Sequence, residues 1–299
     1  MKRIILLLLT LIISNAERSA WADESWQLVE AEGLNHTKRN QQESAQAAYE
    51  RALALAQAHN APAPDCVRLV CELSDAYLNQ RKAKNAEVLL RQTLSQYDSA
   101  PSNHTLEYAE ALQKMTRTLQ RQDRSPETLE YDAKAAELYK ELCKPDDPRI
   151  QTALVQLSAA QRAANEPRAA RKTLLKTMST LKKQHTHEAR FTLIRAYNQL
   201  ADLDADRKNI SQAYEDCKQA IYIAEALYPP RHGNTGIAFT TSIKTLERVG
   251  AKEQARHLQW RLDQIEHSSH IDGDGIDPEG RDVGCWSLAT DRDDTNTKD

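Results

Sequence analysis

The residues of this chain that could do chemistry are few and scattered. His185, His187 and Glu188 put two imidazoles and a carboxylate within four positions, but two histidines spaced by one residue rarely hold a metal without further ligands. His267 and His270, with Asp272, Asp274, Asp277 and Glu279, form the other donor-rich stretch. Within it, Asp272-Gly273-Asp274-Gly275 alternates oxygen ligands along a turn. The glycine comes too early for an EF-hand, and no bidentate glutamate follows at the usual distance. There is no Gly-rich phosphate loop, no nucleophile elbow and no pair of histidines flanking a glutamate at helical spacing. Asn35, Asn103 and Asn209 head glycan-acceptor triplets, close to the number chance supplies in a chain rich in Asn, Ser and Thr. The expectation is a protein without catalytic residues, bound metal or cofactor.

Composition says what positions these residues. The 299 residues include only 8 Gly and 2 Phe, while Ala, Leu, Gln, Glu, Lys and Arg dominate, so helices are expected and strands are not. The formal net charge of -3 is too small to imply a polyanion partner. It is unevenly spread: His267–Asp299 carries nine carboxylates against three bases.

Three regions follow. In residues 1–22, Lys2 and Arg3 precede an apolar run from Ile4 to Ile13, and two small-residue cleavage patterns end at Ala16 and Ala22. This is the layout of a secretory signal peptide, with cleavage after Ala22 favoured. Ten apolar residues are too few to span a membrane core of about 30 Å, so no stable membrane span is expected after cleavage. The chain is therefore expected to be exported, to a periplasm or outside the cell. Residues 23–266 form the helical body. Residues 267–299 have no apolar period and an excess of like charge, which predicts a disordered acidic tail. The five cysteines, Cys66, Cys71, Cys143, Cys217 and Cys285, are an odd number for an exported chain. Cys66 and Cys71 are too far apart to pair on one helix, and no disulfide framework is expected.

The body is periodic. Ala45, Ala86, Thr128, Ala170, Ala213 and Ala255 recur at intervals of 41, 42, 42, 43 and 42 residues. Each begins a small-residue stripe on a second helix, such as Ala213, Cys217 and Ala220, or Ala45, Tyr49 and Ala52. Tyr197, Leu200 and Ala201 mark the first helix of one such pair, and Val70, Leu73 and Tyr77 that of another. Small residues where helices cross let backbones approach; larger ones overpack. Pro62, Pro64, Pro101, Pro145, Pro148, Pro229 and Pro230 fall between pairs, and Gln184–His187 marks the handover without proline. Ser125-Pro126 and Glu166-Pro167 open second helices. The third unit is the weakest: Thr128, Asp132 and Ala135 make a poor stripe, and a register of Leu129, Ala133 and Ala136 is the alternative.

This pattern, covering about Ser25 to Glu266, resembles tetratricopeptide repeat proteins in the 42-residue form of kinesin light chains. The match lies in the Leu, small and aromatic set of the first helices and the Ala, bulky and Ala set of the second. The resemblance implies an all-α, right-handed α-solenoid of six helix pairs whose first helices line a concave groove for a protein or peptide segment. Helical geometry places Arg68, Asp75, Asn79, Arg117, Arg121, Ala159, Ala163, Arg195, Asp202 and Lys244 on the groove side. Their mixed charge argues against nucleic acid, which needs a continuous basic stripe. Ala159 and Ala163 leave a shallow stretch where a segment is expected to cross. The function expected is a non-enzymatic scaffold or adaptor. An accessory binder of a small ligand or cell-wall polymer is the alternative.

Overall fold

A computed structural model describes residues 25–97, 105–229 and 231–267. The signal-peptide and acidic-tail expectations, with the histidine-aspartate stretch, the Asn103 triplet head, Pro101 and Pro230, lie outside the described residues. Among the described residues there are twelve α-helices and no strand, and the chain divides into two compact units on either side of Thr177.

The first unit contains α1 (Trp26–Lys38), α2 (Gln42–Ala58), α3 (Ala63–Asn79), α4 (Ala83–Tyr97), α5 (Leu106–Gln120), a 3-10 turn (Ser125–Thr128), α6 (Leu129–Leu142) and α7 (Pro148–Ala163). α8 (Pro167–Leu181) begins in this unit, with Pro167 at its start as expected. The second unit continues with α9 (His187–Asp206), α10 (Ile210–Leu227), α11 (Gly233–Arg248) and α12 (Lys252–His267). From α1 to α7, and again from α9 to α12, each helix packs on the next in the chain, and first helices also touch directly, α3 on α5 and α9 on α11. This is the antiparallel, side-by-side stacking of an α-solenoid.

The periodic small residues lie where the interval places them. Ala45, Ala86, Thr128, Ala170 and Ala213 have no exposed surface, and Ala255 is 3% exposed. Around them the first unit buries Trp26, Val29, Tyr49, Leu73, Leu90, Tyr108, Met115 and Tyr139 in one cluster. The second buries Ala201, Cys217, Ile221, Phe239, Leu246 and Leu258. Leu154 and Leu157 are half-buried flankers, while Ala153, Val155 and Ser158 take the inner positions of α7.

The third unit keeps its first register. Thr128, Asp132 and Ala135 are buried; of the alternative set only Ala136 is buried, with Ala133 exposed and Leu129 half-buried. Asp132 fits because Thr116 Oγ1 donates to its Oδ1 at 2.9 Å, so the carboxylate keeps a hydrogen bond out of water. Cys66, Cys71, Cys143 and Cys217 are free thiols. Burial pushes the Cys217 thiol up to about 12, leaving it a small apolar filler.

A second period was not read from the sequence. Asn40, Arg81, Asp123, Asn165, Lys208 and Gly250 all have positive φ, between 58° and 79°. Each sits five residues before the small residue of its pair. In every case the following amide donates to a carbonyl five residues back. Gln41 reaches His36 at 2.9 Å, Lys82 reaches Tyr77 at 2.8 Å, Arg124 reaches Leu119 at 3.0 Å, Glu166 reaches Gln161 at 2.8 Å, Asn209 reaches Asp204 at 2.9 Å and Ala251 reaches Leu246 at 2.9 Å. One left-handed residue thus closes each first helix and turns the chain into the second. Asn and Gly suit that conformation, but Arg81 and Lys208 adopt it against their Cβ. Lys208→Gly should therefore raise stability by about 0.5–1 kcal/mol, the relief of that clash less the entropy glycine gains when unfolded. Urea denaturation at equal m-value checks it.

Candidate functional site

The residues expected to line a groove lie on the first helices, and the two units can be taken in turn. In the first unit, Arg68 on α3 pairs with Glu30 on α1 and with Asp65 at 3.2 Å. Its guanidinium lies 5.9 Å from the Trp26 ring centre. Asp75, two turns along α3, pairs with Lys114 and, at 3.2 Å, with Arg117, both on α5. Gln113 on α5 donates to Gln156 on α7 at 2.7 Å and accepts from the Tyr139 hydroxyl at 3.2 Å. Four first helices are thereby joined edge to edge by side chains about one repeat apart.

Glu72 lies among these groups. Burial pushes its carboxyl above the usual range, partly offset by the Lys114 charge and reinforced by Asp75. Asn79 turns away from this row and donates to Gln42 on α2 at 3.2 Å. Arg121 is exposed at the end of α5. Ala159 and Ala163 on α7 are half-buried and carry no polar group.

In the second unit the same link recurs between α9 and α11. Asp202 accepts from Arg248 at 2.6 Å and from Thr245 at 2.9 Å, and Arg248 also lies 3.5 Å from Asp206. Arg195 is half-buried on the same face. Lys244 is exposed. By helical angle this face also carries Phe191 and Ile237, which are 38% and 62% exposed, and Asn198, whose Oδ1 is buried with no hydrogen-bond partner.

Three of the expected contact residues, Arg68, Asp75 and Asp202, thus also hold neighbouring first helices together, and Arg117 joins them through Asp75. Ala159 and Ala163 have no polar group to form such a link, and Lys244 is exposed. Sequence reading missed Glu30, Lys114, Gln113, Gln156 and Phe191. A search for opposite charges one repeat apart on first helices would have found Lys114 with Asp75, whose separation is 39 residues.

Among the described residues no group of three or more His, Cys, Asp or Glu side chains converges as a metal site. His187 serves packing, with its ring edge-on to Tyr228 at 5.3 Å. Tyr228 in turn stacks on His232 at 4.5 Å. No described helix is long and apolar enough to cross a membrane.

Comparison with known proteins agrees with this architecture. Residues 109–149 match the family model described as tetratricopeptide repeat. That span is the third unit, whose stripe looked poorest. No curated protein matches the sequence. Among solved structures, BtubC (BKLC) from P. vanneervenii superposes with a TM-score of 0.59 at 15% identity, covering 78% of this chain and 94% of that one. A Podosopora anserina putative kinesin light chain with nearly identical TPR-like repeats gives 0.54 at 16%, covering 70% and 99%. A Rap protein complexed with Competence and Sporulation Factor gives 0.53 at 11%, covering 81% and 74%. The chain therefore carries a tetratricopeptide repeat and has the fold of kinesin-light-chain-type repeat proteins.

Proposed function

We propose that this protein is an exported, non-enzymatic adaptor that binds an extended protein segment across the outward face of its first helices. The observation that carries the reading is the side-chain ladder on that face. Links one repeat apart fix the first helices edge to edge, so the surface is organised before any partner arrives and little ordering cost remains to be met on binding. Ala159 and Ala163, half-buried on α7, put two methyl groups where α3 and α5 carry charged side chains, which favours a segment crossing there. A Rap protein of the same fold was solved with Competence and Sporulation Factor bound to it, which supports a ligand-binding role for such helix arrays.

One preparation tests both parts. The protein is recovered from an envelope fraction with whatever co-purifies, and its N-terminus is read by mass spectrometry. Export with cleavage after Ala22 gives a chain beginning at Asp23. Ala159→Arg should then weaken the co-purified partner at least about tenfold, a loss of ~1.4 kcal/mol or more. An intact Met1, or unchanged affinity of the variant, would count against export or the binding strip respectively.

A further inference from the structure

The most uneven charge among the described helices lies on α8, a second helix. It carries four bases, Arg168, Arg171, Lys172 and Lys176, and no carboxylate. The formal charges of the other eleven helices lie between -2 and +2. Ala170, Leu174 and Thr177 form the buried side of its first three turns. Opposite them Arg168, Lys172, Leu175 and Lys176 are exposed, within about 100° of arc at ~100° per residue. Leu175 keeps 49% of its surface in water.

The repeat does not ask for bases there. Lys172 stands two residues after the buried Ala170. At the same place Glu130 follows Thr128 and Glu215 follows Ala213, and both glutamates are exposed. The sign of the charge is thus a property of α8 and not of the stacking. Solubility is served equally by either sign. A helix side that sets bases around an exposed aliphatic side chain has the pattern of a membrane-surface contact.

We propose that this side of α8 rests on an anionic lipid surface, with Arg168 and Lys172 at the headgroup phosphates and Leu175 at the acyl boundary. Each base close to an anionic leaflet strengthens binding about fivefold, so these two alone supply roughly 25-fold over a neutral surface. An acidic protein would satisfy the same charge. It would also have to offset the loss of its translational and rotational freedom through a fitted interface, and one short row on one helix offers little area for that. Lipid headgroups rearrange around whatever row they meet. The result is a loose, reversible, salt-sensitive attachment through a second helix, and it needs neither the strip on α7 nor export.

The chain from Asp23 to Asp299 suits the test. It contains every described residue and omits Ile4–Ile13, an apolar run that lipid would take up on its own. Co-sedimentation is measured with vesicles of about 30% phosphatidylglycerol in phosphatidylcholine, and with phosphatidylcholine alone. Binding to the anionic vesicles should be at least about 25-fold tighter. It should fall about tenfold in 0.5 M NaCl, where screening lengths shrink to roughly 4 Å. Arg168→Gln with Lys172→Gln should weaken it about 25-fold, and Leu175→Ser roughly threefold more, with helical circular dichroism unchanged. Lys84→Gln with Lys140→Gln removes the same charge from exposed sites on α4 and α6 and should weaken binding less than about twofold. Equal losses from the two pairs would mean attraction by net charge alone and would overturn the proposal. Equal binding to both kinds of vesicle would overturn it too. So would a chain that ignores the anionic vesicles but self-associates in sedimentation equilibrium until the α8 pair is changed, because a second copy would then be the occupant.

Discussion

Ala213→Arg should unfold the second unit at a temperature well below that of the parent, with an expected loss of about 4 kcal/mol or more. Ala213 has no exposed surface and opens the stripe it shares with Cys217 and Ala220, both also fully buried. A methyl group suffices there because α10 crosses its neighbours closely. An arginine would have to overpack the crossing, costing roughly 1–3 kcal/mol. It would also bring a cation onto a helix face whose other members, Cys217 and Ala220, have no exposed surface. A buried, unpaired charge costs several kcal/mol more unless it escapes to water, and escape means opening the helix pair. Differential scanning calorimetry distinguishes the cases. A midpoint within error of the parent would mean that Ala213 does not sit at a helix crossing. Ala213→Ser, nearly the same size, should cost far less, and it separates volume and charge from mere substitution.

Gly33→Leu is expected to have the next largest effect. Gly33 lies inside α1, where glycine is usually a liability of about 1 kcal/mol relative to alanine. It is tolerated for a steric reason. A Cβ built there would lie 2.8 Å from Tyr49 Cε1 and 3.0 Å from Cδ1. The Tyr49 ring is 1% exposed and its hydroxyl lies 3.3 Å from Thr37 Oγ1 on α1, so it has nowhere to retreat. A leucine must push α1 off α2 or expel the ring, at an expected cost of about 3 kcal/mol. For a chain of this size that corresponds to a fall of roughly 6–12 °C in Tm, if unfolding is cooperative. Pairing it with Tyr49→Ala should recover part of the loss, because the volume added on one helix is removed from the other. A double-mutant cycle showing no coupling would contradict the contact.

How much was legible in the sequence follows from which forces set each feature. The helix crossings were legible because close approach tolerates few residue types, so Ala45, Ala86, Ala170, Ala213 and Ala255 stand out at fixed intervals. Helix starts were legible where proline or a capping residue sits: Pro148 opens α7 behind the Asp147 cap, and Thr186 caps α9. The left-handed turn residues were not. Arg81 and Lys208 occupy positions that only backbone geometry dictates, and neither residue type signals a turn. Asp132 looked like a defect because its partner, Thr116, is sixteen residues away on the facing helix.

The candidate face was legible by angle and illegible by partner. The 100° step of a helix put Arg68, Asp75 and Asp202 on one side of the first helices, where all three are half-buried. It could not show that Glu30, Lys114 and Arg248 wait on the next helix to hold them. Such pairings depend on the offset between neighbouring helices and on rotamers, neither of which is written in one chain's periodicity.

The ladder that joins first helices has a mechanical consequence. Within each unit each second helix nests against first helices through side chains too small to yield, whereas the first helices are linked to one another by long, partly exposed side chains. The two edges of each repeat therefore differ in stiffness, like a hinge with one rigid leaf and one sprung leaf. Dissolved ions soften only the sprung side. The curvature of each unit is therefore expected to respond to ionic strength, with the buried nest as the fulcrum.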